Sequence, residues 1–208
     1  MKITEDLAYL LGAIDGDGWV EQGETNYRIG LEVKDKDFAE NFAQSASKVY
    51  GRKPKIQCFT RHFPNGSKLV KKPFSTIKYR VRIGDQKITP MIDELRKNPQ
   101  FTKILTDSGE ACVSAYLRGL YDAEGSFHLS PHLRIYNDDT SLLVRVALLL
   151  QFLGINIQSG IVRADNREGV HCLNLYRTKL VQQFSEKIGF SIARKSDKLE
   201  AFVRGGQS

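Results

Sequence analysis

The stretch "LLGAIDGDGW" (Leu10–Trp19) returns, nearly intact, as "LRGLYDAEGS" (Leu117–Ser126), and no other feature constrains the fold as much. Both copies close an apolar run in the same order. A glycine (Gly12, Gly119) is followed by an acid (Asp15, Asp122), a small residue (Gly16, Ala123), a second acid (Asp17, Glu124) and a last glycine (Gly18, Gly125). The second acids lie 124 − 17 = 107 positions apart in a chain of 208 residues. A repeat on this scale points to two copies of one packing unit.

The segments downstream of each copy repeat too. After the first come the strand "YRIGLEV" (Tyr27–Val33), a helical stretch from Asp35 to Gly51, the strands "KIQCFT" and "STIKYRVRIG", and the helix "ITPMIDELRKN". After the second come the strand "HLRIYN" (His132–Asn137), a helix from Asp138 to Gly154, the strands "NIQSGIVRA" and "GVHCLNLY", and the helix "TKLVQQFSEKIG". The residues just after each motif also read as strand. The organisation is αββαββα twice: a first half over 1–97, a linker over 98–111 and a second half over 112–208. A final segment, "ARKSDKLEAFVRG", has helical periodicity and is expected to pack on the second half.

Strand alternation separates two faces. Ile77, Tyr79, Val81 and Ile83 share one side of their strand, and Lys78, Arg80 and Arg82 the other. Ile29, Leu31 and Val33 lie opposite Arg28 and Glu32; Leu133 and Ile135 lie opposite His132, Arg134 and Tyr136. One face therefore packs under helices and the other presents basic and aromatic tips, either as a solvated face or as a reader of bases and phosphates. The loop Thr60–Phe74, with a "PNG" turn and Arg61 at its start, would extend that surface as a basic hairpin. His128 and His132 read as groove-facing side chains rather than metal ligands.

Charge agrees. The net charge of +7 and a pI near 9.3 suit a polyanionic partner, nucleic acid or an anionic membrane surface. The three cysteines form no C-x-x-C pair, which fits a reducing compartment. The N-terminus reads as no signal peptide, and the most apolar stretch (Leu142–Gly154) is too short to span a bilayer. The expectation is a cytoplasmic protein with no membrane partner.

The motif resembles a calcium loop, with Asp15 and Asp17 at loop positions 3 and 5, but Ala13 would then fall where the first ligand belongs. Helix geometry gives a better account. Gly18 and Gly125 suit left-handed helix ends. Glycine inside a helix costs about 1 kcal/mol against alanine, so Gly12 and Gly119 point to two helices packed backbone to backbone. Acids at helix C-termini oppose the dipole. Two such ends side by side would gather carboxylates and free carbonyls, which a divalent cation would stabilise. Hard oxygen donors point to Mg²⁺, with Mn²⁺ as a substitute.

At these residues the chain resembles the LAGLIDADG homing endonucleases of the single-chain, two-motif type. The resemblance implies an α+β fold: a pseudo-twofold, duplicated αββαββα monomer whose two antiparallel sheets form a DNA-binding saddle. It implies site-specific hydrolysis of double-stranded DNA, one strand at each of Asp17 and Glu124, which would hold metal with the carbonyls of Gly16 and Ala123 nearby. Asp15 and Asp122 would order the helix ends. A surrounding basic pocket would draw on Lys34, Arg82, Asn137 and Lys195. Val33 stands where relatives often carry Gln, and Asn174 is the second-half counterpart of Arg82. Arg28, Arg61, Lys78, Arg80, Arg82, His132, Arg134 and Tyr136 would contact DNA. The implied setting is a mobile intron. Two rivals share the fold: a maturase that binds intron RNA, and a non-cleaving DNA-binding regulator. An acid at both Asp17 and Glu124 argues for cleavage.

Overall fold

The two motif runs are helices, α1 (Glu5–Gly16) and α5 (Glu110–Glu124), and they lie against each other in the core of the protein. The computed structural model describes residues 2–23, 26–65, 72–128, 132–157, 160–164 and 168–205. Helix α1 starts where the Thr4 hydroxyl accepts the Leu7 N–H at 3.3 Å, and Glu5 and Asp6 complement the positive end of its dipole. Every residue from Leu7 to Ile14 is buried, so α1 is a core helix rather than a one-sided surface helix. The glycines permit the approach. A Cβ on Gly12 would fall 1.9 Å from the Tyr116 carbonyl oxygen, and one on Gly119 would fall 2.3 Å from that of Tyr9. No side chain fits between these backbones.

Around this pair each half builds one sheet. The first half runs β1 (Gly18–Gln22), β2 (Tyr27–Val33), α2 (Lys36–Tyr50), β3 (Lys55–Phe63), β4 (Phe74–Gly84) and α3 (Ile88–Lys97). Helix α4 (Phe101–Asp107) leads into α5. The second half continues with β5 (Gly125–His128), β6 (His132–Asn137), α6 (Thr140–Phe152), β7 (Val162–Arg163), β8 (His171–Leu175), α7 (Thr178–Lys187) and α8 (Ala193–Gly205). The sheets are antiparallel, ordered β1-β2-β4-β3 and β5-β6-β8-β7. The same order in both halves is the duplicated α+β architecture.

Register confirms the core faces. Ile29, Leu31, Val33, Val81 and Ile83 are buried in one sheet, and Leu133 and Ile135 in the other. Ile77 departs from the alternation: it shares the face of Val81 yet is 56% exposed. Strands β3 and β4, of 9 and 11 residues, run out past the helical layer, so their outer ends have nothing to pack under. The tip of that hairpin, 66–71, where a basic extension is expected, lies outside the described residues, as does the side chain of His128. The expected strand over 156–164 is short: among the described residues only Val162 and Arg163 pair, with Cys172 and His171.

The stretch read as a linker contains α4, because Phe101 and Leu105 bury and Phe101 packs edge-on to Tyr116 at 5.5 Å. Helix α8 packs on the second half through Leu199, buried, and through Phe202, edge-on to Phe127. Among the described residues no helix is long and apolar enough to cross a membrane.

Candidate active site and nucleic-acid interface

The closing glycines are not left-handed. Gly125 has φ −74°, and Gly18 is absent from the positive-φ residues. Glycine serves there by close approach: a Cβ on Gly18 would meet the Ile14 Cα at 2.7 Å, and one on Gly125 the Tyr121 carbonyl at 2.4 Å. The chain turns straight from helix into strand in both halves. The turns abut, since a Cβ on Gly16 would lie 2.3 Å from the Ala123 Cβ and 3.4 Å from the Glu124 Cγ. The helix end that carries Asp17 and the one that carries Glu124 are therefore in contact.

The first acids face inward and are held across the pair. The Tyr116 hydroxyl donates to Asp15 Oδ2 at 2.7 Å, and the Tyr9 hydroxyl donates to Asp122 Oδ2 at 3.0 Å. The tyrosines are 116 − 9 = 107 positions apart, the same offset as the acids. Each comes from the opposite half, so two reciprocal clasps tie α1 to α5. The remaining partners differ. Asp15 also accepts from Arg96 Nε at 2.7 Å and Arg145 Nη1 at 3.2 Å. Asp122 accepts from the Ser191 N–H at 2.9 Å and from the Ser191 hydroxyl. Burial raises the Asp122 carboxyl above its ordinary range, against the bonds from Ser191 and Tyr9. Burial also pushes both phenols well up.

The second acid of the first half opens on a cleft of about 220 Å³ whose lining includes Asp17, Val33, Lys34, Asp35, Lys78 and Arg194. Among the described residues no side chain hydrogen-bonds the Asp17 carboxylate. Enclosure by the cleft raises its pKa; Lys195 and Lys78 pull it down and Asp35 adds to the rise. Asp35 is held low by a two-pronged Arg194 guanidinium at 2.7 and 2.8 Å. Among the described residues no group of three or more His, Cys, Asp or Glu gathers as a ready metal cage.

Of the expected pocket residues, Lys34 lines this cleft and Lys195 lies beneath it. Lys195 is 5% exposed and its Nζ donates to the carbonyls of Tyr121 at 3.0 Å and Asp122 at 2.5 Å. It thereby supplies a donor to the Asp122 carbonyl near the end of α5 and adds a second to the Tyr121 carbonyl, which already accepts the Gly125 N–H. Burial lowers its pKa to about 8. Arg82 is elsewhere, 5.8 Å from the Trp19 ring in a separate basic cleft. Asn137 uses its side-chain carbonyl locally, accepting the Asp139 N–H at 2.9 Å at the start of α6. Buried Val33 brings no polar group. Lys78, expected only as a DNA contact, reaches the Asp17 cleft instead. Asp35 and Arg194 were not foreseen; Arg194 adjoins Lys195 in sequence, but its partner is 159 residues away.

The sheet face is partly ordered by internal pairs. Glu32 accepts two bonds from Arg80, at 3.0 and 2.6 Å, and one from Arg61 at 2.7 Å. The Arg80 guanidinium also lies 4.5 Å from the Phe59 ring. In the second half Arg134 Nη1 donates to the Tyr136 hydroxyl at 3.3 Å, and His132 meets Asn174 at 3.4 Å. Arg28 donates to Asn26 at 2.8 Å.

Comparison with known proteins places this geometry. Residues 111–189 match the model of a LAGLIDADG-like domain. An uncharacterized protein of Methanocaldococcus jannaschii is 31% identical over 159 residues, covering 73% of this chain and 56% of that protein. A DNA polymerase of Thermococcus litoralis is 29% identical over 212 residues, covering 91% of this chain and 11% of the polymerase. The chain thus spans about half, or far less, of these two relatives. The homing endonuclease I-DmoI has a similar structure at 25% identity: TM-score 0.64, over 90% of this chain and 92% of that one. Its complex with DNA and Mn gives a TM-score of 0.62 over 88% and 96%, also at 25% identity. Residues 111–189 thus resemble a LAGLIDADG-like domain, and the chain as a whole takes the fold of the homing endonuclease I-DmoI.

Proposed function

We propose that the protein is a site-specific endonuclease that hydrolyses phosphodiester bonds in both strands of duplex DNA, with Asp17 and Glu124 as its paired acids. The observation that carries this reading is the contact of the two motif-helix ends at Gly16 and Ala123, each next in sequence to one of the acids. The similarity to I-DmoI, solved with DNA and Mn, supports DNA and a divalent metal as partners.

The residues suit Mg²⁺. Two carboxylates and the carbonyls of Gly16 and Ala123 are hard oxygen donors, and the Asp17 carboxylate is enclosed without a hydrogen-bond partner among the described residues. A donor set this small leaves coordination to water and phosphate, which Mg²⁺ retains readily. When bound, the metal would supply Lewis-acid activation of water and stabilise the leaving oxygen. The protein supplies position and charge. Lys34 and Lys78 set cations beside the phosphate that Asp17 serves. Lys195 holds the last carbonyls of α5 and so fixes the backbone that carries Glu124. The Tyr–Asp clasps keep both acids in register across the axis. Arg61, Arg80 and Arg82, with His132, Arg134 and Tyr136, form the sheet surfaces that meet DNA. The chain acts as a monomer, because one chain carries both motifs. We place it in a mobile element, the intron being the setting that the resemblance implies. A match to 11% of a DNA polymerase fits an element lodged in a host gene.

The test is cleavage of a plasmid library of candidate target sites with Mg²⁺, and again with EDTA. Linear product that forms only with the metal is expected. Absence of any cut product across the library would overturn the reading.

A further inference from the structure

The segment that joins α7 to α8 ties the two halves together. Residues 191–195 bond to α2 of the first half on one side and to the end of α5 on the other. Toward α2, the Asn41 side-chain amide donates to the Ser191 carbonyl at 3.2 Å and the Ala193 N–H donates to Asp37 Oδ2 at 2.6 Å. The Arg194 guanidinium donates twice to Asp35, at 2.7 and 2.8 Å. Toward α5, the Ser191 N–H and hydroxyl donate to the Asp122 carboxylate, and Lys195 Nζ donates to the carbonyls of Tyr121 and Asp122. Phe190 and Ile192 are buried, so the segment is seated as a strap. The Asp35 and Arg194 side chains are 22% and 58% exposed, and a simple pair at such a site would add little. This one is two-pronged, and the bonds from Asn41 and Ala193 act on the same strap beside it.

The matching aspartate of the second half shows what Asp35 gives up. Strands β2 and β6 end at Val33 and Asn137, and Asp35 and Asp139 open the helices that follow at the same spacing, 137 − 33 = 139 − 35 = 104. Asp139 caps its own helix, accepting the Ser141 N–H at 2.8 Å and the Leu142 N–H at 3.4 Å. Aspartate is favoured at such a position because that bond satisfies a free helix N–H. Asp35 makes no cap bond, and the Phe38 N–H turns to Asp37 Oδ1 at 3.0 Å instead. The same duplicated residue therefore caps a helix in one half and anchors the opposite half in the other.

We propose that Asp35 and Arg194 are positioning residues: their pair latches the strap onto α2, so that Ser191 and Lys195 fix the end of α5 that carries Glu124. The inference rests on the nuclease reading and adds to it a dependence of one half on the other. Glu124 lies two residues beyond Asp122, which the strap grips through both its carboxylate and its carbonyl. Arg194 also borders the Asp17 cleft. One latch residue thus flanks the first acid, while its strap holds the helix end of the second.

Amide hydrogen exchange and cleavage kinetics of Arg194→Gln test the latch together. The N–H groups of Ser191 and Gly125, bonded to Asp122 Oδ1 and to the Tyr121 carbonyl, should exchange at least about threefold faster, while the β2 amides keep their rates. Asp37→Ala removes the acceptor of the Ala193 N–H and should move the same amides in the same direction. Turnover by Arg194→Gln on a cleaved duplex should fall about tenfold, with duplex affinity kept within about twofold. The charge-swapped double variant, Asp35→Arg with Arg194→Asp, should recover most of that loss and slow the two amides again. Arg204→Ala breaks an exposed pair with Glu200 on the same helix and should change neither reading. Unchanged exchange at Ser191 and Gly125 in both single variants would overturn the latch. So would equal acceleration across both sheets, or a swapped pair that recovers nothing. If the unaltered protein cuts no duplex, the nuclease reading falls, and with it the positioning role, whereas the exchange rates still decide whether the strap is latched.

Discussion

The two halves share a topology and a pair of motif helices, yet they treat the same position differently. In the first half the inner acid, Asp15, is bound by two arginines and a tyrosine; in the second, Asp122 is bound by a serine and a tyrosine. The first sheet carries a long β3–β4 hairpin and a basic cleft around Arg82, while among the described residues β7 pairs over two residues and His132 meets Asn174. The shared features are those that the helix interface requires. Tyr9 and Tyr116, Gly12 and Gly119, and the four acids all repeat at an offset of 107, as two helices that pack reciprocally across one axis require. Features that only face outward have diverged. Under the proposed function each copy would read different DNA, and that would call for this division: symmetry where the halves touch, asymmetry where they meet the partner.

Breaking the shared part should have the largest effect. Asp17→Asn or Glu124→Gln is expected to retain DNA binding and to lower double-strand cleavage by at least about 10²-fold, the order seen when a transition-state group is removed. Plasmid linearisation beside an anisotropy titration would check it, and normal cutting by both variants would remove these acids from the chemistry. Next come the interface glycines. Gly12→Ala forces a methyl into the Tyr116 carbonyl and should destabilise by about 3 kcal/mol, a fall in Tm of about 6–12 °C for a chain of this size. A shift below about 2 °C in a thermal melt would show that the helices can separate more easily than their geometry says.

The clasps sharpen the comparison. Asp15→Asn removes the charge that faces Arg96 and Arg145 and should cost about 2 kcal/mol, the range for breaking a buried pair reduced for the partial exposure of both arginines. Asp122→Asn keeps a side chain that Ser191 and Tyr9 can still donate to and relieves a carboxylate that burial disfavours. It should cost less than half as much near neutral pH, and equal losses in urea denaturation would erase the distinction between the halves. The smallest effect concerns Lys195. Its folded pKa of about 8 lies below its ordinary 10.5, so the unfolded chain holds a proton there that the folded chain has lost. The contribution to stability is therefore full above 10.5 and declines as pH falls toward 8. Relative to Lys195→Met, the unaltered protein should gain stability between about pH 8 and 10, measured by denaturant midpoint; parallel curves would place the amino group in solvent.

Much of this architecture was legible in the sequence. The repeat and the strand alternation foretold both sheets and their buried faces, and the interior glycines foretold the helix contact. The Tyr clasps were equally readable, since Tyr9 and Tyr116 share the offset of the acids, but tyrosine in an apolar run reads as core. Other features had no local signal. Ile77 is exposed because the hairpin outruns the helices, a matter of length in three dimensions. Lys195 serves carbonyls about 73 residues away, and Asp35 waits for Arg194 from the other half. Arg52, Lys53 and Lys55 line one cleft with Arg82 only because a turn folds over the strand that carries it.

The proposed cleavage of both strands by one chain assigns Asp17 and Glu124 to one joined centre. Anomalous diffraction at the manganese edge, from crystals of the protein with Mn²⁺ and the duplex it cleaves, tests that directly. A peak coordinated by carboxylate oxygens of both Asp17 and Glu124 is the result expected. Metal held by one acid alone, or at neither, would contradict it.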